Sequence, residues 1–217
     1  QISEPPRLLS EGERGLVVSC PLIVRGDSIH IVNTELDRDE LRFALLFWDQ
    51  LNWPSNNVIH IEGSGESKFL ESEGILQRSD VRLISGGGDG AELFRESHLN
   101  VFRALDQMQP SRWCMARGSR SITISDLDKD DARGLLFSLI KAIPIPDREV
   151  PINDVLEFRH KRAAERMAVI AYLEEAFLRI TNSPEKSLSE EIEISKLDRA
   201  LSDLTRAMSS SKMMSRN

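Results

Sequence analysis

At Ile143-Pro144-Ile145-Pro146-Asp147 the spacing of apolar residues changes, and that change limits the folds open to this chain more than any other feature. Each proline drives the residue before it into extended geometry, so the segment reads as a stiff connector. Upstream, short β-branched runs alternate with helical patterns. Downstream, Ile152, Leu156, Ala163, Met167, Ile170, Leu173, Phe177 and Ile180 recur at about 3.5-residue spacing, which lays them along one helix face. Asn182-Ser183-Pro184 stops that helix, and Ser187 with Glu190 makes a capping box for the next. Ile194, Leu197, Leu201, Leu204 and Met208 then continue in steps of three and four. The expectation is an α+β protein. A mixed strand–helix body occupies residues 1–145, an antiparallel helical hairpin 151–208, and a frayed tail 209–217.

Within the body, Gly15–Cys20 and Ser28–Val32 are β-branched runs on either side of the turn chemistry of Arg25-Gly26-Asp27, a hairpin pattern. Asp37 opens a helix, with Glu40 three residues on. Leu41, Ala44, Leu45, Trp48 and Leu51 share one of its faces, and Trp53-Pro54-Ser55-Asn56-Asn57 ends it. Val58–Ile61 and Val81–Ile84 read as strands. A short helix lies around Phe69 to Leu76 with Gly74 close to its end, and a longer one runs from about Ala91 to Met108. Trp113–Ala116 and Ser121–Ser125 form a hairpin pattern, followed by a helix that starts at Asp126–Asp131 and carries Leu135, Leu136, Leu139 and Ile140. Long continuous apolar strands are missing, which favours α+β over a doubly wound parallel sheet.

The chain has 217 residues, enough for one large core or two small ones. Its acidic and basic residues balance from Pro151 onward, so the whole net charge of −7 falls in residues 1–150. Such a body argues against a sequence-independent nucleic-acid surface, whose affinity comes from Lys and Arg. The local cluster Arg112, Arg117 and Arg120 reads as a solvated face. No apolar run approaches the length of a membrane span. Gln1–Pro6 lacks the basic-then-apolar pattern of a signal peptide. Cys20 and Cys114 sit among apolar neighbours and read as buried, reduced thiols, which points to a cytoplasmic protein.

Three segments carry a family resemblance. They are Leu45-Leu46-Phe47-Trp48-Asp49-Gln50-Leu51, then Phe69-Leu70-Glu71-Ser72-Glu73-Gly74-Ile75-Leu76, then Pro151 to Arg162 with Asp154, Leu156, Phe158, Arg159 and Lys161. Their order resembles an uncharacterised bacterial protein family with the segments LLxWDxI, FLExxGIL and PxxDxLxFRxKR; Leu51 stands where that pattern has Ile. The resemblance implies a bacterial, intracellular protein and brings no catalytic residue with it.

Candidate chemistry is sparse. Gly86–Gly90 precedes a helix, as in loops that cradle anions, but the Walker-type lysine is missing and a surface loop is the simpler reading. Asp126, Asp128 and Asp130 open like a calcium loop, yet Asp131 stands where Gly is needed and Phe137 where Glu is needed. His30 and His60 sit mid-strand between isoleucines. With Asp49 or Asp80 they offer groups for a metal or acid–base site, although no H-x-H or H-E-x-x-H spacing supports it. Asp49 is either a buried carboxylate with a raised pKa or, the favoured reading, a partner of the Asn56–Asn57 backbone turn. Arg159, Lys161 and Arg162 offer a basic helix face for nucleic acid, but Glu157 and Glu165 flank it and solvated ion pairing is favoured.

The expected function is that of an interaction protein. Its helical hairpin, through Ile194, Leu197, Leu201 and Leu204, mediates self-association or binds a protein partner. The alternative is a metal-dependent nuclease or other hydrolase built on His30, Asp49, His60 and Asp80. No cofactor, resident metal or membrane is expected.

Overall fold

A computed structural model describes residues 7–20, 22–25, 28–31, 35–57, 61–63, 65–82, 90–115, 145–182, 184, 192–193, 196–197 and 201–214. The chain divides into two compact units, Gln1–Ala44 with Trp48–Thr123, and Leu45–Phe47 with Ile124–Asn217.

The first unit is built on a parallel sheet. Its strands are β1 (Gly15–Val17), β4 (Gln50–Asn56), β5 (Leu76–Val81) and β6 (Trp113–Met115), in the spatial order β5-β4-β1-β6. Helices α1 (Arg38–Phe47), α2 (Gly65–Ser72) and α3 (Gly90–Met108) fall between consecutive members of this set. Numbered along the chain, the parallel strands run 3-2-1-4, the order of one half of a doubly wound sheet, with the reversal between β1 and β6. A body of mixed strands and helices is therefore present, but its main sheet is parallel, which corrects the expectation drawn from short polar strands. β2 (Leu22–Arg25) and β3 (Ser28–Ile31) form a separate antiparallel pair closed at Arg25 opposite Ser28. The pairing closes where expected. Its first arm is β2, because Gly15–Val17 is taken by the parallel sheet. Trp113–Met115 likewise pairs with β1 in parallel rather than with a hairpin partner.

Local chemistry explains the element ends. The Asp37 side chain accepts from the backbone N–H groups of Asp39 and Glu40 and caps α1. At Trp48 the chain turns extended (φ −117°, ψ 143°) while its N–H still reaches the Ala44 carbonyl. Leu51 and Trp53 are consequently strand residues, not helix residues. Pro54 is tolerated inside β4 for a reason of register. Leu51 N–H donates to Ile75 beside β5, so Trp53 and Ser55 face that way and the missing N–H of Pro54 faces β1. There β1 has already ended, with Val17 opposite Asn52. Gly74, at φ +69°, closes α2 with its N–H on the Glu71 carbonyl and leads into β5. Leu9, Val17, Val101, Phe102, Leu105 and Trp113 form the core under α3.

The second unit contains α4 (Ile152–Lys161), α5 (Ala163–Thr181) and α6 (Ser202–Ser210). The single long helix read from the sequence breaks at Arg162 (φ −113°, ψ 33°). An antiparallel pairing of the last two helices is not confirmed, since most residues between 183 and 200 lie outside the described set. Leu173, Ala176, Leu197, Leu201, Leu204 and Met208 are buried. Ser209 and Ser210 belong to α6, and Met213 is buried with its N–H on the Met208 carbonyl. The expected strand at Val58–His60, the glycine cluster up to Asp89, the hairpin arm Ser121–Ser125 and the helix from Asp126 lie outside the described residues.

Candidate functional site

Parallel sheets with this strand order carry their ligand sites beyond the carboxyl ends of the strands. Here polar side chains line both faces of β4 and β5, from mid-strand to that end. On the α3 face, Asn52 is fully buried and donates through Nδ2 to Ser79 Oγ at 2.8 Å, while its Oδ1 has no hydrogen-bond partner. Asn56 Nδ2 donates to Ser97 Oγ at 2.8 Å, and Ser97 Oγ donates in turn to the Leu93 carbonyl at 2.7 Å. His98 is buried, with Nδ1 2.9 Å from the Phe94 carbonyl and its ring 4.3 Å from that of Phe94. Burial pushes its pKa down to about 4 against the opposing pull of the Phe94 and Val18 backbones, so the imidazole is neutral at pH 7.

On the opposite face, cross-strand neighbours Trp53 and Arg78 stack, with the guanidinium carbon 4.1 Å from the ring centroid. Arg78 Nη2 donates to the Ile61 carbonyl at 2.5 Å, and Nη1 is buried without a hydrogen-bond partner. Glu71 Oε1, on α2, is likewise buried and unpartnered. Ser55 donates its hydroxyl proton to Asp80 Oδ1. Cys20 is buried, and desolvation raises its thiol to about 11, which removes it as a thiolate nucleophile near neutral pH. Cys114 is half-buried, and neither cysteine is in a disulfide.

The residues singled out from the sequence do not all converge. His30 lies on β3, opposite Ile23, in the two-stranded pair. His60 lies outside the described residues. Asp49 sits just before β4, and Asp80 near the end of β5, opposite Ser55. Six strand positions at about 3.3 Å each separate these ends by roughly 20 Å, too far for one ion. Asp49 does bond backbone, but at Arg14 rather than at Asn56 or Asn57. Among the described residues, no group of three or more His, Cys, Asp or Glu side chains is arranged to hold a metal.

In the second unit, Lys161 pairs with Glu157 at 2.5 Å and Arg162 with Glu165 at 3.1 Å, the neighbours expected from sequence. Arg159 Nη1 donates to the Leu45 carbonyl at 3.4 Å. Leu197, Leu201 and Leu204 are buried by the chain itself; Ile194 lies outside the described residues. Sequence reasoning missed Glu193, which is buried and accepts from Arg179, Lys196 and the Tyr172 hydroxyl. Arg179 above all holds its carboxyl down to about 2. It also missed Arg78, Asn52 and the Ser97–His98 pair. Ser97 and His98, lying between Phe94 and Val101 on the apolar face of α3, were the visible signal for the last of these.

Among the described residues, no helix is long and apolar enough to cross a membrane. One family model, described as a family of unknown function (DUF6236), matches residues 31–217. No curated protein and no solved structure matches the chain.

Proposed function

The chain belongs to DUF6236, and from that footing we propose that it is an interaction protein of the bacterial cytoplasm that associates with itself through its C-terminal helical unit. The supporting observation is a pair of exposed apolar side chains on α5, on a helix face that also carries Glu174. Met167 and Leu178 are 46% and 57% exposed. They stand eleven residues apart, about three turns, so both lie on one helix face together with exposed Ala171. The residues first expected to make the contact, Leu197, Leu201 and Leu204, are already buried, which moves the available surface to α5. Balanced charge from Pro151 onward, where α5 lies, limits electrostatic repulsion between two copies of that segment. A metal-dependent hydrolase built on His30, Asp49, His60 and Asp80 has less support, because Asp49 and Asp80 stand at opposite ends of the sheet.

Light scattering over a range of protein concentrations tests the reading. The expected result is a concentration-dependent dimer that Met167→Glu with Leu178→Glu converts to monomer at unchanged melting temperature. A wild-type chain that stays monomeric throughout overturns self-association.

A further inference from the structure

We propose that the outer edge of β5 pairs antiparallel with the same edge of a second copy of this chain, about a two-fold axis at Ser79.

β5 is an outer strand of the parallel sheet, bonded on one side to β4. Leu51 N–H donates to the Ile75 carbonyl, so Gln77, Ser79 and Val81 turn their backbone groups to β4 as well. The backbone N–H and C=O groups of Arg78 and Asp80 therefore point outward. Among the described residues, nothing hydrogen-bonds to these outward groups. Asp80 is exposed and Arg78 half-buried, so solvent reaches the edge at these positions. Such a row of unpaired groups is a template for a further strand.

Charge selects the occupant. The Arg78 and Asp80 side chains stand on one face of the sheet, cross-strand from Trp53 and Ser55. An opposing strand must bring an acidic residue to Arg78 and a basic one to Asp80. Read antiparallel, β5 itself carries that pair. With Ser79 on the axis, Arg78 of each copy lies opposite Asp80 of the other, and each such pair exchanges both of its backbone bonds. Charge also fixes the register. The smallest slip that keeps outward groups facing one another sets Arg78 against Arg78 or Asp80 against Asp80. Charged residues on an edge ordinarily block strand addition. Here their alternation rejects unlike strands and admits a copy of this one. All of these residues belong to the first unit, so the contact is independent of self-association through α5. It is short and therefore weak, with association expected at roughly 0.1–1 mM chain.

The test is sedimentation equilibrium, up to about 1 mM, of the full chain carrying Met167→Glu and Leu178→Glu. Those changes silence α5, so the remaining association reports the β5 edge, and a concentration-dependent dimer is expected. Adding Asp80→Arg sets like charges opposite one another and should weaken that dimer about tenfold or more, as should Arg78→Asp. An equimolar mixture of these two variants restores opposite charges across the pair and should dimerise. Asp80→Pro removes one outward N–H, leaves the ladder to β4 intact and should also weaken the dimer. An α5 variant that stays monomeric overturns the pairing and leaves the α5 reading standing. A dimer that neither Asp80→Arg nor Asp80→Pro changes overturns it too, and a mixture that stays monomeric overturns the register. If Arg78→Asp fails to fold, because that guanidinium rests on Trp53, the two Asp80 variants decide. Association of the otherwise wild-type chain that Asp80→Arg abolishes, and that the α5 changes leave intact, strikes the α5 reading and keeps this one.

Discussion

The Asp49 carboxylate accepts the backbone N–H of Arg14 at 3.0 Å, and the Asp49 N–H donates back to the Arg14 carbonyl at 2.8 Å. This two-way clamp ties the chain entering β1 to the chain entering β4, and β1 is the strand on which the order of the sheet turns. Asp49→Ala removes the side-chain acceptor and should cost about 1–3 kcal/mol in urea unfolding. Asp49→Asn retains an acceptor oxygen and should lose less. Equal loss from both would show that the charge, rather than the acceptor, matters.

Gly15 lies opposite Trp113, and a Cβ there would fall inside the van der Waals surface of the indole. Gly15→Ala should lower stability by about 1–3 kcal/mol through overpacking. Trp113→Leu in the same background should recover part of that loss. A double-mutant cycle on melting data measures the coupling, and strict additivity would sink this account.

Arg42 is buried on α1 and grips Glu66 of α2 with two prongs, Nη2 to Oε1 at 2.8 Å and Nη1 to Oε2 at 3.2 Å. Glu66→Ala removes the carboxylate partner of the buried guanidinium, which keeps its bond to the Arg38 carbonyl, and should cost about 1–3 kcal/mol. Replacing both with Met should cost much less than the single change. Denaturant midpoints of the three variants check the ranking.

His98 makes stability pH-dependent. Its pKa falls from 6.5 to about 4 on folding, so between those values the unfolded chain binds more protons. Stability should therefore decline as pH drops from 6.5 towards 4, by up to about 3 kcal/mol. His98→Gln should flatten the curve in that window. Glu193 acts lower: its folded pKa of about 2 contributes stability above about 4.5 that is lost as pH falls towards 2. Urea titrations at a series of pH values separate the two ranges.

Leu197 and Leu201 are buried within the chain, so Leu197→Ala should cost about 2–5 kcal/mol without altering the association state. A change in molecular mass with unchanged melting temperature would return these residues to the interface.

Local chemistry was legible in the residues. The Asp37 cap, the span of α3, the turn between β2 and β3, the end of α2 near Gly74 and the pairing of Lys161 with Glu157 each depend on atoms a few positions apart. Sequence alone therefore determined the start of α1, the span of α3 and the place of this reversal, but not the end of α1 or the start of α2.

Tertiary structure decided the sheet and its polar site. Asn52, Ser55 and Asn56 look like loop residues, and they become a buried strand because Ser79, Asp80 and Ser97, far along the chain, supply hydrogen-bond partners. Parallel pairing joins β1 to strands on either side across long crossovers, and no periodicity within β1 encodes which strands those are. The Arg78 guanidinium rests on Trp53 and on the Ile61 carbonyl, contacts that arise only when separate segments pack together.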